Sequence, residues 1–171
     1  MSVEQRQVHD DVVARRGRVP APTALWLTSP ELARRAERLG EFARFQTSLP
    51  KRLSELAILV TARHWTSHYE WHAHKKEALA AGLDPMIVDA IQRRETPSFA
   101  AQDERAVYRF ARALHESHKL DDALYGAVAE AIGARGLVEL VGILGYYTLV
   151  SMTLNVFEVP LPAGAAYELK P

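Results

Sequence analysis

Glu70 and His74, four residues apart in YEWHAH, form an acid/base pair if the stretch is helical. A helix turns about 100° per residue, so positions i and i+4 project from one face roughly 6 Å apart. An imidazole with an ordinary pKa of about 6.5 beside a carboxylate gives or takes a proton at neutral pH. Glu55 adds a second carboxylate inside the apolar run LSELAILV. Partial desolvation there would raise its pKa toward a value useful for proton transfer; alternatively it benefits from a helix N-terminus and points to water. Ser67 and Glu70 also read as a capping box, which satisfies orphan amides without excluding chemistry, because a helix N-terminus is also a place to hold an anionic substrate. Ser67 and Trp71 are therefore the candidate substrate contacts, and Trp65, Tyr69 and Trp71 are packing residues of which one walls a pocket.

The other histidines raise the question of a metal. His68 and His72 are at i and i+4, with His64 one turn earlier, but they lie on the face opposite Glu70 and His74, and no HExxH arrangement occurs. No metal site and no cofactor is expected. The chain has no cysteine, which removes disulfides, thiolate metal ligation and thiol redox chemistry together.

Helical elements position these residues. Residues 3 to 16 fit a short amphipathic helix, and 17 to 30 a Pro-punctuated extended link clamped by Leu25, Trp26 and Leu27. Ser29-Pro30 starts a helix reaching about Thr47, and Pro50 opens the next, which runs to about Trp65. Ser67 restarts the chain in a helix ended by Gly82, and Asp84-Pro85 caps a short one to about Ile91. A loop over 93 to 98 precedes helices over about 101 to 117, 121 to 132 and 136 to 157. No strand-like alternation, internal repeat or low-complexity tract is found, so the expected fold is all-α, built of packed helix hairpins around a single core.

Composition bounds the function. The 171 residues, 48% apolar and 25% charged, describe a folded globular domain. Equal numbers of basic and acidic residues, 21 each, provide no long-range attraction for nucleic acid or an anionic membrane. Residues 140 to 157 carry no charge, the length of a spanning segment, yet Gly142, Gly145, Thr148 and Ser151 form a small-residue line and the flanks are acidic. A helix buried on all sides is the expectation, with another helix approaching along that line. The N-terminus is too polar for a secretory signal, so a cytoplasmic protein is expected.

The residues RLSELAILVTAR and YEWHAHKKEALAAGLDPMIVDAI resemble the carboxymuconolactone decarboxylase family, whose fold is shared with alkylhydroperoxidase D-like proteins. The resemblance covers about residues 50 to 92 well and extends loosely to 157, leaving 1 to 48 as an N-terminal extension and 158 to 171 as a tail. It implies an alkylhydroperoxidase D-like bundle of antiparallel helix hairpins that assembles as a trimer or hexamer. In the peroxidase branch a Glu, a Cys-x-x-Cys pair and a His would fall on Glu55, Ser67 and Glu70, and His74. Both thiols are absent, so thiol peroxidase activity is excluded. The decarboxylase branch, with Glu and His four apart, is closer, although Tyr69 stands where those enzymes have His. The resemblance thus implies a cofactor-independent lyase acting on a small carboxylated lactone or ring acid. In that reading His74 donates a proton, Glu70 orients it and Glu55 is a second proton-handling carboxylate. The rival reading is a non-catalytic helical oligomer, or another acid/base enzyme of the same fold.

Overall fold

The computed structural model describes residues 1–170, and every element among them is a helix. In chain order these are α1 (Val3–Arg16), α2 (Ala21–Trp26), α3 (Pro30–Phe45), α4 (Lys51–His64), α5 (His68–Ala80), α6 (Pro85–Gln92), α7 (Gln102–Ser117) and α8 (Asp122–Val156).

Helix α4 is the axis of the bundle. Every residue from Leu53 to Arg63 is buried, and α5, α6, α7 and α8 all pack on it. That follows from LSELAILVTA, which is apolar round most of its circumference and so must be covered on several sides. Helices α4 and α5 form an antiparallel hairpin through a tight connection in which Thr66 takes a left-handed conformation (φ 46°). The turn returns α5 along α4, so side chains of the two helices meet.

Three expectations need correction. The stretch 17 to 30 is not an extended link: it contains α2, with Pro22 in its first turn, where a missing N–H costs nothing. The clamp itself is real, since Trp26 is buried and donates from Nε1 to Thr153 Oγ1 at 3.0 Å. Helices 121–132 and 136–157 are the two limbs of α8, interrupted at Gly133 (φ 71°, ψ 168°). The distal limb is not buried on all sides. Val138, Val141, Met152 and Val156 are exposed along one stripe, and a Cβ added at Gly142 or Gly145 would meet nothing. By length and composition α8 could cross a membrane, yet its opposite face, including Leu140, Ile143, Leu144, Tyr147 and Val150, is in the protein core.

The N-terminal extension is docked on the bundle, with α1 and α2 on α3 and α3 on α8. Its anchor is Glu37, fully buried on α3, which accepts hydrogen bonds from Thr23 Oγ1 of α2 and from Arg16 of α1, the latter at 3.0 Å. One carboxylate thereby ties three helices together. The close helix approach in the fold is at Gly40 of α3, where a Cβ would collide with the Tyr146 hydroxyl.

Candidate functional site

The α4–α5 hairpin places Glu55, Glu70 and His74 in one buried cluster. Glu55 projects from the first turns of α4, and Glu70 and His74 from successive turns of α5. His74 Nδ1 is hydrogen-bonded to Glu55 Oε2 at 2.7 Å. Nε2 lies 3.3 Å from Glu70 Oε2, an ion-pair contact without hydrogen-bond alignment, and that oxygen has no hydrogen-bond partner. The ring of Tyr147, from α8, meets His74 edge-on at 5.0 Å.

Burial by itself would strip the proton from His74. The bond to Glu55 and the charge of the two carboxylates outweigh it, lifting the imidazole pKa to about 9. The ring is thus an imidazolium at neutral pH. Tyr147 is shifted the other way by the same surroundings: burial first, then the Glu70 charge, keeps its phenol protonated far beyond the ordinary range.

Above the cluster is a cavity of about 400 Å³, and Glu70 and His74 both reach it, whereas Glu55 stands behind the imidazole. The wall facing them is cationic. Arg15, Arg16 and Arg18 come from α1 and the segment after it, and Arg44 from α3. Arg15 is committed to Glu41 at 2.5 Å and Arg16 to Glu37. Arg44 Nε is buried with no hydrogen-bond partner, and its guanidinium is 4.0 Å from Glu77. Arg18 makes no ion pair among the described residues. Tyr69, Tyr146 and Tyr147 add polar rings to the lining, and Pro22, Phe45 and Val150 give it an apolar side.

Of the residues singled out from the sequence, Glu55, Glu70 and His74 converge. Ser67 and Trp71 do not join them. Both are buried, neither lines the cavity, and Trp71 instead points its Nε1 to Glu168 of the C-terminal tail at 3.3 Å. The capping box is not formed either: Ser67 has N-cap backbone geometry, but its Oγ bonds to nothing and Glu70 turns to His74. Tyr69 is the aromatic residue that walls the pocket. The arginines and the α8 tyrosines had no signature in the sequence, since they come from helices remote in the chain and charged or aromatic residues are common on any helix. The remaining histidines disperse: the His64 ring stacks on His115 at 4.6 Å, and His68 meets Tyr167 at 4.9 Å.

A hairpin with a helix-borne Glu on one arm and Glu-x-x-x-His on the other is the arrangement the sequence resemblance implied, and the carboxymuconolactone decarboxylase family model matches residues 30–113. The chain belongs to that family. The match begins at α3, so Arg15, Arg16 and Arg18 of the cavity lie outside the family's common part. The fold is shared with the alkylhydroperoxidase AhpD core of an uncharacterised peroxidase-related protein from Ralstonia eutropha JMP134. There the TM-score is 0.75 at 17% identity, over 95% of this chain and 87% of that one. A peroxidase-related protein from Silicibacter sp. TM1040 gives 0.74 at 15% identity, over 95% and 86%. The debrominase Bmp8 gives 0.73 at 17% identity, over 94% and 87%, and a cysteine-to-alanine form of it has been solved in complex with 2,3,4-tribromopyrrole. No curated protein matches the chain in sequence. This carboxymuconolactone decarboxylase-family member has no cysteine with which to act as a thiol enzyme.

Proposed function

We propose that the protein is a carboxy-lyase acting on a small carboxylated lactone or ring acid, with His74 as the proton donor. The observation that carries this reading is a buried imidazole ring, bonded from behind to Glu55, whose other nitrogen faces a cavity walled by arginines. An anionic substrate is drawn to Arg18 and Arg44, the guanidiniums with bonding capacity to spare. The carboxylate to be lost faces the apolar and tyrosine-lined part of the cavity, away from water.

The carbon–carbon bond to the carboxylate breaks, carbon dioxide leaves, and the electron pair passes into the ring carbonyl as an enolate. The imidazolium stabilises that charge and delivers its Nε2 proton to carbon, and a proton from solvent restores it. In this scheme the sequence-based roles of the two carboxylates change places. Glu55, at 2.7 Å from Nδ1 and out of the cavity, orients the ring; Glu70, with an unpartnered oxygen at the cavity, returns the proton. No cofactor enters the scheme. Self-association would use the exposed α8 stripe of Val138, Val141, Met152 and Val156.

The test is carbon dioxide release from γ-carboxymuconolactone by the purified protein, with His74→Gln and Glu70→Gln alongside. Turnover lost in His74→Gln, with helicity and a cooperative, if lowered, thermal transition, supports the reading. Absence of turnover in the folded wild type would sink the substrate assignment, and turnover undiminished in His74→Gln would sink the donor.

A further inference from the structure

A second cavity lies toward the other end of α4, where His64 is about 13 Å of helix rise from Glu55. Its volume is about 70 Å³, against roughly 10–15 Å³ needed for one water. Arg63 and His64 enter it from the C-terminal end of α4, Arg94 from the segment after α6, and Arg112 and His115 from α7. Val60 and Ile91 supply an apolar floor.

The charges in this cavity do not balance. Two carboxylates reach it, and each is engaged: Glu116 accepts from Arg112 at 2.7 Å, and Glu95 from Arg93 at 2.8 Å. Arg63 is buried, and its guanidinium is bound to neutral oxygens of Gln92, Thr66 and Lys170. Arg94 has only the Thr66 hydroxyl, at 3.2 Å, and no carboxylate among the described residues. Two guanidiniums thus share one hydroxyl oxygen with no counter-charge between them. Arg94 is exposed, but Arg63 is buried, and a buried charge without a counter-charge is unfavourable, which an anion relieves. Arg94 also sits at φ 62°, a backbone conformation that favours glycine, and this aims a long cationic side chain back at the turn.

We propose that this cavity binds a small free oxyanion of phosphate size, held by Arg63 and Arg94 against the His64–His115 stack. Arg94 has N–H groups to spare and Arg63 keeps one on each Nη, donors suited to a tetrahedral oxyanion, whereas Arg112 is taken up by Glu116, Tyr108 and Thr96. The electrostatic state of the wall agrees: burial first, then the influence of the His64 ring, lowers the His115 pKa to about 4, so the cavity resists further positive charge.

The experiment is an NMR titration of the full chain with inorganic phosphate at constant ionic strength, chloride being the compensating salt. Saturable shifts of the His64, His115, Arg63 and Arg94 signals are expected, with those of His74 and Tyr147 unmoved. Affinity falls at least tenfold in Arg94→Gln and in Arg63→Gln. Circular dichroism identifies the folded variant, so either one suffices. The proposal is overturned if the His64 and His115 signals do not saturate, if both folded variants bind as the wild type does, or if the shifts are confined to the His74 cavity. Tighter binding of glycerol 3-phosphate than of phosphate would likewise replace a free ion with a phosphate ester.

Discussion

His74 and His115 stand on opposite neighbours of α4, each bonded to it, and are held in opposite charge states. His74 on α5 meets Glu55; His115 on α7 meets Thr61 Oγ1 at 3.0 Å and stacks on His64. Burial pushes both rings toward the neutral form. Two carboxylates reverse that push for His74, whereas a second imidazole reinforces it for His115. Companions, not depth, decide whether a buried histidine is a stored proton or a neutral wall.

The largest effect should come from removing the ring that neutralises two buried carboxylates. His74→Ala leaves Glu55 and Glu70 facing each other without a cation, and breaking such a buried pair costs about 3–5 kcal/mol. At the other site, His115→Phe removes one hydrogen bond to a hydroxyl and keeps the stack, for about 1 kcal/mol. Urea denaturation of the two variants measures the difference directly. Equal losses would mean that the carboxylates around His74 are already protonated and that no stored charge exists.

A pH series on the wild type sharpens the same contrast. The His74 pKa rises from 6.5 to about 9 on folding, so its contribution to stability is complete below pH 6.5 and is lost as pH rises through 9. The His115 pKa falls from 6.5 to about 4 on folding, so its contribution is complete above pH 6.5 and is lost as pH falls toward 4. Stability in His74→Gln should lose its alkaline arm only, and in His115→Phe should lose part of its acid arm only. Thermal midpoints across the range check both.

The sequence made one of these sites legible and hid the other. Glu70 and His74 share a helix at i and i+4, a relation fixed by helix geometry, and Glu55 stood out as a charge inside an apolar run. The expectation that Glu70 and Ser67 cap α5 failed because His74, one turn on and held in place by Glu55 of α4, competes for the carboxylate. The arginine wall was illegible because Arg15 and Arg44 are ordinary on helices, and Arg18 in a connection, until Glu37 ties α1 and α2 to α3. His64 and His115 meet only because α4 and α7 pack, a fact absent from either helix alone. The stripe of Gly142 and Gly145 was misread for the opposite reason. Small residues allow a close approach but do not require one, and here no helix within the chain makes it.

The smallest expected effect concerns Ser67, and its sign is what matters. Were the hydroxyl a helix cap, Ser67→Ala would cost about 1 kcal/mol. The structure has that oxygen buried with no hydrogen-bond partner, and an unsatisfied buried hydroxyl is a penalty the folded state carries. Ser67→Ala should therefore leave stability unchanged or raise it by up to about 1 kcal/mol. The same variant also tests the site. Ser67 does not line the His74 cavity, so turnover should be retained with an unchanged KM. A clear loss of stability would restore the capping role and loosen Glu70 from His74. A raised KM with unaltered stability would bring Ser67 back into contact with substrate, extending the functional cavity past Tyr69 to the start of α5.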